Sequence, residues 1–448
     1  MGVPLVRLVV LNYNGGPFVG RCVDHLEALD WPAERLQIVV VDNASTDGSD
    51  VALEARPRVR LIRSGVNRGF PANNLALTEL DDLDYVGLIN NDAFVEPGYL
   101  APLVEALDAT PGVGAACPKI VLAHRFVDLS ICCPSWQAPG DARSLGIRVS
   151  GLRVQGDDRW RNLVAGPGVH LVEAGGPDEP AFRWTDGRAV LQVPCLDGEV
   201  TASLRVSSPR PIDAVLDAGA GEVTVRVGPT PEWVEVTLGD DRRDLINNAG
   251  SRLVRGGYGG DRGFLEPDLG QYDEPQDVFA WCGAGVLFRP DYLRDVGLFD
   301  SRYFMYYEDT DLAWRGRLRG WRYRYAPDAR LRHIHAATSV EGSPMFNHFV
   351  QRNRLMMLTK CAPGPMVRRA LAGYLVELAR LSWRDIARPM VRLRLPAVGL
   401  VRARVRSLSA YLRLLPVLLV DRRRIRRRRT VPDAAITRAV TPSRSIRR

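Results

Sequence analysis

The regular alternation of short apolar runs and helical patterns over the first 100 residues most constrains the fold of this 448-residue chain. Between the first two runs, Gly15-Gly16-Pro17 opens a helix whose apolar residues, at 19, 23, 26 and 29, fall on one face. Strands are predicted at residues 6–11, 38–41, 59–62 and 85–89. Strands separated by helices of this length predict parallel βαβ units in an open α/β sheet.

Polar side chains follow three of these strands at the point where each strand ends. The three groups are Asn12-Tyr13-Asn14, Asp42 and Asn90-Asn91-Asp92. In open α/β sheets ligands bind beyond the carboxyl ends of the strands. We therefore expect the three groups to converge on one ligand-binding edge.

The pattern changes between residues 147 and 245. Helical periods become few, and short alternating runs such as Ala202-Leu204-Val206 and Val234-Val236-Leu238 take their place, with Gly, Pro and Asp at intervals of about ten residues. This spacing predicts an inserted β-sandwich-like domain. The expected organisation is two α/β halves at residues 1–146 and 246–345, the insert at 147–245, and a basic helical tail at 346–448.

Charge is distributed unevenly along the chain. Residues 361–448 hold 22 Arg and only 4 acidic residues, a net charge of +18, so the rest of the chain carries −10 within a total of +8. Apolar positions 367, 371, 374, 378 and 381 fall on one helical face, and seven Arg lie between 422 and 429. Apolar helices rimmed by Arg suit an anionic membrane surface. The alternative is a helical subdomain packed on the body with a disordered basic end.

A nucleic acid is the rival partner for these Arg residues, because Arg clusters bind phosphates of any origin. The tail lacks an identifiable nucleic-acid-binding fold, and the acidic body would repel a duplex, so we do not favour this partner.

The cysteine count and the N-terminal pattern bear on the compartment. The seven cysteines form no CxxC pair and are odd in number, which implies neither a disulfide framework nor a zinc site. A reducing cytosol is the simplest interpretation. We see no cleavage-type signal segment, and no apolar run in the tail approaches the roughly 20 residues of a spanning helix. The expected location is cytoplasmic and peripheral on the inner face of the plasma membrane.

A second concentration of polar residues lies at 299–321. Glu308, Asp309 and Asp311 stand at the start of a predicted helix, where acids favour the macrodipole and Asp311 can pair with Arg315 at i,i+4. Two aromatic residues directly precede them. A partly dry pocket raises a carboxylate's pKa toward the range of a general base, which is the functional alternative.

Residues 281–285 carry two further features. Gly283-Ala284-Gly285 lacks the third glycine and the ribose-binding acid of a dinucleotide fingerprint, so we reject that interpretation. Trp281 has two alternatives, stacking on a sugar or burial in the core.

Six ordered motifs resemble family 2 glycosyltransferases of the rhamnosyltransferase-like branch, which have the GT-A fold. They are VVLNYNGG, VVVDNASTDGS, NRGFPANN, LINNDAF, VGLFDSRYFMYYEDTDLAWR and RHIHAATS. The resemblance covers about residues 5–145 and 246–360. It implies a GT-A catalytic domain, here with the β-rich insert and the basic tail outside the match.

The resemblance implies a divalent cation site for Mg²⁺ or Mn²⁺. Asp92 matches the last position of the family's DXD motif, and Asn90 stands where the first Asp usually is. His333 and His335 lie where related enzymes place a histidine on the metal or the diphosphate; we favour His333 and keep His335 open. Oxygen ligands from the diphosphate complete such a site.

The resemblance also implies a nucleotide pocket and a catalytic base. Asp42 matches the acid that contacts the base or ribose, and the remaining predicted nucleotide contacts are Asn12, Tyr13, Asn14, Asn67, Arg68, Gly69, Asn74 and Asn91. Asp309 matches the catalytic base of the Glu-Asp motif, with Glu308 beside it. A single displacement inverts the anomeric carbon.

We therefore expect an inverting, metal-dependent glycosyltransferase. The resemblance to the rhamnosyltransferase-like branch suggests rhamnose, from dTDP-rhamnose, as the sugar. The expected acceptor is a cell-envelope glycan or its lipid-linked precursor. The alternative is a catalytically inactive glycan-binding or scaffold protein that uses the insert for recognition.

Overall fold

The computed structural model describes residues 2–175, 179–254, 256–334, 343–437 and 440–441. The chain divides into two compact units. Unit 1 comprises Met1–Ala123, Ile246–Phe264 and Leu269–Arg448. Unit 2 comprises His124–Leu245 and Leu265–Asp268.

The described residues form strands and helices with the following bounds. The strands are β1 (Val6–Asn12), β2 (Leu36–Asp42), β3 (Val59–Arg63), β4 (Tyr85–Asn90), β5 (Ala93–Val95), β6 (Val113–Cys132), β7 (Arg148–Val154), β8 (Asp157–Asp158), β9 (Val164–Ala165), β10 (Arg183–Trp184), β11 (Arg188–Cys195), β12 (Thr201–Ser207), β13 (Ile212–Asp217), β14 (Glu222–Val227), β15 (Glu232–Thr237), β16 (Arg243–Asn248), β17 (Ser251–Val254), β18 (Tyr258–Asp261), β19 (Gln276–Val278), β20 (Gly285–Phe288), β21 (Arg322–His333) and β22 (Val440–Thr441). The α-helices are α1 (Gly16–Glu27), α2 (Ser49–Glu54), α3 (Leu100–Asp108), α4 (Pro290–Val296), α5 (Glu308–Leu318), α6 (Pro344–Cys361), α7 (Gly364–Ser382), α8 (Arg388–Val391), α9 (Gly399–Arg428) and α10 (Asp433–Thr437).

Unit 1 is built on a mixed sheet that begins with the four predicted strands. Strand order runs β6-β20-β4-β1-β2-β3. Neighbours among β4, β1, β2 and β3 are parallel, whereas β20 runs antiparallel to both β4 and β6. The α/β prediction is confirmed, and the carboxyl ends of β1, β2 and β4 share one edge.

Both faces of this sheet are covered, because successive strand residues point to opposite sides. Along β1, Leu8 and Val10 join an apolar core with α1 and α3, whereas Val9 joins a second core with α4, α5 and α6. Unit 1 is thus a three-layer arrangement of helices around a sheet.

Unit 2 is a sandwich of two antiparallel sheets. One sheet contains β9, β11, the second half of β6, β13 and β14, and the other has the order β10-β7-β12-β15. Leu129 and Leu191 of the first sheet share one apolar core with Leu152 and Leu204 of the second. This packing is the β-sandwich geometry expected for the insert.

The first boundary of the β-rich unit differs from the expected residue 147. Unit 2 begins at His124, because β6 is a continuous 20-residue strand whose residues 125–132 pair with β11. No Gly or Pro lies between residues 119 and 133 to mark the change of unit in the sequence. A second difference is the segment Leu265–Asp268, which belongs to unit 2 and pairs with it through a bridge between Leu245 and Pro267.

The region from residue 346 onward completes unit 1 instead of forming a separate tail. Leu355, Met357 and Leu358 of α6 are buried in the core of unit 1 with Tyr411 and Leu418 of α9. The inward faces of these helices therefore pack as the helical-subdomain alternative describes, and part of the Arg cluster makes internal contacts. Residues 442–448, at the basic end, lie outside the described residues. No helix in the described ranges is long and apolar enough to cross a membrane.

Candidate active site

Asn12 joins the carboxyl ends of three strands. Its Nδ2 donates to Asp42 Oδ1 at 3.0 Å and to Ser49 Oγ at 2.9 Å, and its Oδ1 accepts from Asn91 Nδ2 at 3.3 Å. Asn12 is fully buried. A Cβ on Gly15 would lie 2.4 Å from Asn12 Oδ1, so this glycine lets the chain turn against the amide. Asn12 therefore ties the carboxyl ends of these strands together at the edge of the sheet.

Asp42 belongs to this hydrogen-bond network, and its carboxylate can accept more hydrogen bonds than the network uses. It accepts from Asn12 and, through Oδ2, from the backbone N–H of Ser45 at 3.1 Å. An ionised carboxylate offers about four lone-pair sites, so two acceptor positions remain for a ligand. Tyr13 and Asn14 follow β1 and are exposed, with Asn14 accepting from the backbone of Thr46 at 2.7 Å.

Asn43, which is not among the predicted site residues, holds the loop at residues 67–69. Its Nδ2 donates to Asn67 Oδ1 at 3.0 Å and to the carbonyl oxygen of Gly69 at 3.2 Å, and its Oδ1 accepts from the backbone N–H of Arg68 at 2.8 Å. Asn43 is buried, whereas the Asn67 and Arg68 side chains are exposed. Its position directly after Asp42 in VVVDNASTDGS is the signal that could have identified it.

Gly69 and Asn74 connect this loop to the segment before α5. Gly69 has φ +67°, and a Cβ there would lie 2.0 Å from the carbonyl oxygen of Phe304, so no larger residue fits. Asn74 pairs with the backbone of Phe299 in both directions, donating at 2.8 Å and accepting at 3.1 Å. This engagement assigns Asn74 to bridging two segments, which differs from the predicted nucleotide contact.

Asp92 and His333 lie together where β5 pairs with β21. The antiparallel register sets His333 opposite Ala93, and the backbone N–H of Ile334 donates to the Asp92 carbonyl at 3.0 Å. As a result Asp92 Oδ1 lies 3.2 Å from His333 Nε2. Asn90 Nδ2 is 3.5 Å from the same nitrogen.

This pair fits a divalent cation. Two ligand atoms bound at right angles, each about 2.1 Å from a cation, are about 3.0 Å apart, close to the observed 3.2 Å. His333 Nδ1 donates to Asn247 Oδ1 at 2.9 Å, which turns Nε2 toward Asp92, as an outer-shell partner does for a metal-binding histidine. Within the described ranges, no cluster of three or more His, Cys, Asp or Glu could hold a metal. His335 lies outside the described residues.

The segment before α5 has an uncommon backbone. Phe304, Tyr306 and Tyr307 all have φ between 64° and 70°, a left-handed conformation that costs about 1 kcal/mol or more for each such residue. Asn353 of α6 is fully buried, and its Nδ2 lies 2.7 to 2.9 Å from the carbonyl oxygens of Tyr303, Met305 and Tyr306, which share its two N–H donors. Asn353 therefore holds the strained segment, a role that no sequence motif suggested.

Glu308 and Asp309 are the first two residues of α5, directly after this segment. Burial raises the pKa of Asp309 to about 6, against hydrogen bonds from the N–H and hydroxyl groups of Thr310 that lower it. Burial also raises the pKa of Glu308 well above its usual range, with a further contribution from the Asp309 charge. Among the described residues, Glu308 Oε2 has no hydrogen-bond partner.

A turn at residues 282–285 links the loop that carries Asp92 to Glu308 and Asp309. The carbonyl oxygen of Ala284 accepts from the backbone N–H of Asn90 at 3.1 Å. The backbone of Gly283, one residue earlier, lies at Asp309 and opposes the rise in its pKa. The turn thus brings the end of β4 and the start of α5 to one place.

Two residues of this region have structural roles. Asp311 is fully buried and pairs with Arg315 at 2.9 Å, as predicted, and with Lys360 at 2.8 Å. Trp281 is also fully buried, and its ring centroid lies 4.8 Å from that of Phe288. Of its two predicted alternatives, burial in the core is therefore the one observed.

Known proteins resemble this chain in sequence. Residues 8–125 match the family described as glycosyl transferase family 2. N-acetylglucosaminyl-diphospho-decaprenol L-rhamnosyltransferase from two strains of Mycobacterium tuberculosis is 25% identical over 354 residues, which cover 76% of this chain and 79% of the relative. Beta-monoglucosyldiacylglycerol synthase from Synechocystis sp. is 29% identical over 132 residues, covering 28% of this chain and 27% of that protein. A crystal structure of GalNAc-T7 with UDP, GalNAc and Mn²⁺ aligns with a TM-score of 0.47 and 12% identity, over 91% of this chain and 55% of that one.

The family match and the Mycobacterium relative define the class of this protein, which is a glycosyltransferase. More narrowly, its residues 8–125 match family 2 glycosyltransferases and the chain is similar to a rhamnosyltransferase, as its motifs indicated.

Proposed function

We propose that this enzyme has the GT-A fold and transfers a sugar with inversion from a nucleoside diphosphate to a lipid-linked glycan precursor. The donor is rhamnose on dTDP. The sugar and the acceptor follow the relative named for an N-acetylglucosaminyl-diphospho-decaprenol acceptor and L-rhamnose. The observation that carries the chemistry is the turn at residues 282–285. Its Ala284 carbonyl oxygen accepts from the backbone N–H of Asn90, and its Gly283 backbone lowers the pKa of Asp309 against the effect of burial.

Asp309 is the general base in this proposal. A base works best when its pKa lies near the operating pH, and burial raises the pKa of Asp309 to about 6. As a carboxylate it takes the proton of the acceptor hydroxyl while that oxygen attacks the anomeric carbon. The nucleoside diphosphate leaves from the opposite face, so one displacement inverts the centre.

Glu308 lies beside the base and remains protonated to higher pH. Its buried Oε2, without a hydrogen-bond partner among the described residues, can donate to a hydroxyl of the bound acceptor. Glu308 thereby orients the acceptor, and its neutral form avoids a second negative charge next to Asp309.

Asp92 and His333, with Asn90 beside them, would hold the divalent cation, Mg²⁺ or Mn²⁺. When bound, the cation neutralises charge on the departing diphosphate. Two protein ligands suffice for such an ion because diphosphate oxygens and waters fill its other positions. Asn247 orients the histidine from behind.

The nucleotide lies along the ends of β1 and β2 in this proposal. Asp42 accepts from the base or ribose, and the exposed Tyr13, Asn14, Asn67 and Arg68 line its surroundings. Asn12, Asn91 and Gly69 shape these loops from inside, through the contacts described above. A lipid-linked acceptor would bring the cytoplasmic enzyme to the inner face of the plasma membrane.

Thermal unfolding of the purified protein tests the donor site. We expect dTDP and dTDP-rhamnose to raise the melting temperature more than UDP or GDP, with Mg²⁺ or Mn²⁺ and not with a chelator. The shift should disappear in Asp92→Ala and persist in Asp81→Ala, a control in which the altered carboxylate is almost fully exposed. No shift with any nucleotide would contradict the proposed donor site.

Transfer to a polyprenyl-diphospho-N-acetylglucosamine acceptor tests the base. We expect Asp309→Asn to bind the donor near wild-type affinity with little transfer. A large loss of donor affinity would instead assign Asp309 to the nucleotide site.

A further inference from the structure

The outward face of α9 combines exposed apolar side chains with Arg. At 100° per residue, positions 405, 412, 416, 420, 423 and 427 fall within an arc of about 80°. Val405, Leu412 and Val420 on this arc are 43 to 50% exposed. The exposed Arg residues on or beside it are Arg402, Arg406, Arg413, Arg423, Arg424 and Arg427.

The opposite face of α9 packs on unit 1. Val401, Tyr411 and Leu418 are buried there, and the Tyr411 hydroxyl lies 2.8 Å from Thr359 Oγ1. Asp421 is the single acidic residue in the sequence of α9, and its carboxylate forms an ion pair with Arg302 of unit 1 at 2.5 Å. The helix therefore presents Arg and aliphatic groups outward and directs its carboxylate inward.

A cavity of about 450 Å³ that is largely open to solvent lies along the Arg-rich end of α9, lined by Leu419, Arg422, Arg423, Arg426 and Arg427. Arg422 is anchored by donating to the carbonyl oxygens of Thr359 at 2.7 Å and Ala362 at 2.8 Å. Arg423 and Arg427 are exposed, one turn apart. Arg426 is paired with Asp433 at 3.2 Å. The exposed guanidinium groups of Arg423 and Arg427 therefore suit a phosphate group, next to the exposed aliphatic Leu419.

The segment that leads into α9 is apolar and more exposed still. Leu393 and Leu395 are 97% and 95% exposed, and Trp383 is 63% exposed. Arg392 and Arg394 alternate with the two leucines. The segment is tied to the preceding helical turn by the Ala397 N–H, which donates to the carbonyl oxygen of Asp385 at 2.8 Å. Neighbouring aliphatic side chains exposed to this degree indicate an interaction surface.

We propose that the outward face of α9 lies in the headgroup layer of an anionic bilayer, with lipid phosphates in the Arg-lined cavity and Leu393 and Leu395 inserted among the acyl chains. A helix of 30 residues is about 45 Å long, and its alternation of aliphatic and Arg positions suits the plane of the interface. A bilayer is favoured over a nucleic acid because the exposed side chains between the Arg residues are aliphatic. Surfaces that bind single-stranded nucleic acids use aromatic side chains, on which the bases stack.

This surface extends the lipid-linked acceptor of the proposed function by naming the membrane contact. Donor binding and membrane binding are separate measurements, so the failure of one proposal is distinguishable from the failure of the other. The donor-induced thermal shift should be the same in every surface variant below.

Flotation with lipid vesicles tests the proposal on the full chain. We expect the wild-type protein to float with vesicles of phosphatidylcholine and phosphatidylglycerol, and at least about 10-fold less with phosphatidylcholine alone. Arg423→Glu/Arg427→Glu and, separately, Leu393→Asp/Leu395→Asp should each weaken binding about 10-fold or more. The control Arg161→Glu/Arg188→Glu changes the same charge at two exposed Arg of unit 2 and should bind as wild type.

Three outcomes would overturn the proposal. One is that the wild-type protein does not float with anionic vesicles. Another is that calorimetry detects binding of inorganic pyrophosphate, that Arg423→Glu/Arg427→Glu abolishes this binding, and that the wild-type protein does not bind vesicles. This combination would indicate a site for a soluble anion. The third is a salt-dependent affinity for a DNA duplex that needs the two Arg while the leucine variant binds vesicles normally.

Discussion

Asn353 Nδ2 on α6 donates to the carbonyl oxygen of Tyr306 at 2.8 Å, two residues before Glu308. The same amide holds the carbonyls of Tyr303 and Met305. A side chain from the C-terminal region therefore maintains the backbone that presents Glu308 and Asp309, and the region that looked like a tail supports the proposed active site.

We expect Asn353→Asp to lower kcat by about 100-fold while donor affinity stays near wild type, because a carboxylate cannot donate to the three carbonyls and Asp309 would shift by about 1 Å. The free energy of unfolding should fall by about 1 to 3 kcal/mol. Steady-state kinetics and urea unfolding measure the two effects, with Asn162→Asp in unit 2 as the matched control. Equal losses of kcat and donor affinity would point to general disruption instead.

Asn247→Ala should weaken the cation dependence without removing it. Outer-shell partners of a metal-binding histidine typically contribute 10- to 100-fold to metal affinity, so the Mn²⁺ concentration for half-maximal donor stabilisation should rise by about that factor. His333→Ala should raise it further, because a ligand itself is lost. His170→Ala, in unit 2, is the control, and an unchanged Mn²⁺ requirement in His333→Ala would refute the cation pair.

The transfer rate should fall as the pH drops below about 6, because the base must be deprotonated and burial raises the pKa of Asp309 to about 6. The pH dependence of kcat with saturating donor and acceptor measures this. A rate that is level between pH 5 and pH 7 would contradict the role of Asp309.

The same pKa has an opposite consequence for stability. The folded state holds the Asp309 proton more tightly than the unfolded chain, whose carboxyl has a pKa of about 3.9. Protonated Asp309 therefore contributes to the free energy of unfolding fully at low pH, and this contribution is lost as the pH rises from about 4 to about 6. Asp309→Asn should remove this loss, and the difference in unfolding free energy between variant and wild type should grow across that window. A constant difference would contradict the raised pKa.

Lys360 should matter more for stability than any surface ion pair. It is 3% exposed and lies 2.8 Å from both Asp300 and Asp311, and Lys360 and Arg302 hold the pKa of Asp300 below its usual range. Lys360→Met leaves two carboxylates buried without this partner and should cost about 3 to 5 kcal/mol in urea unfolding. Arg226→Met, at an exposed pair with Asp213, should cost less than about 1 kcal/mol.

The strand-end chemistry was predictable from sequence because it depends on local order. Runs of β-branched residues followed by Asn12, Asp42 and Asn90 specify parallel strands and the edge where they end, and the structure places them there. The strands of unit 2 were predictable for the same reason, because apolar and polar residues alternate along them. Its start was not, since β6 passes between units without a break.

The amino-acid sequence by itself determined the α/β sheet, the β-rich insertion and the ordered motifs that resemble glycosyltransferases, because these depend on periodicity and on residue types at short spacing. Tertiary structure alone decided that Asn247 lies behind His333, that Asn353 holds the segment before Glu308, and that α9 turns Asp421 inward and Arg outward. These are contacts between residues 47 to 119 positions apart, and chain periodicity carries no information about which distant side chains meet in a packed core.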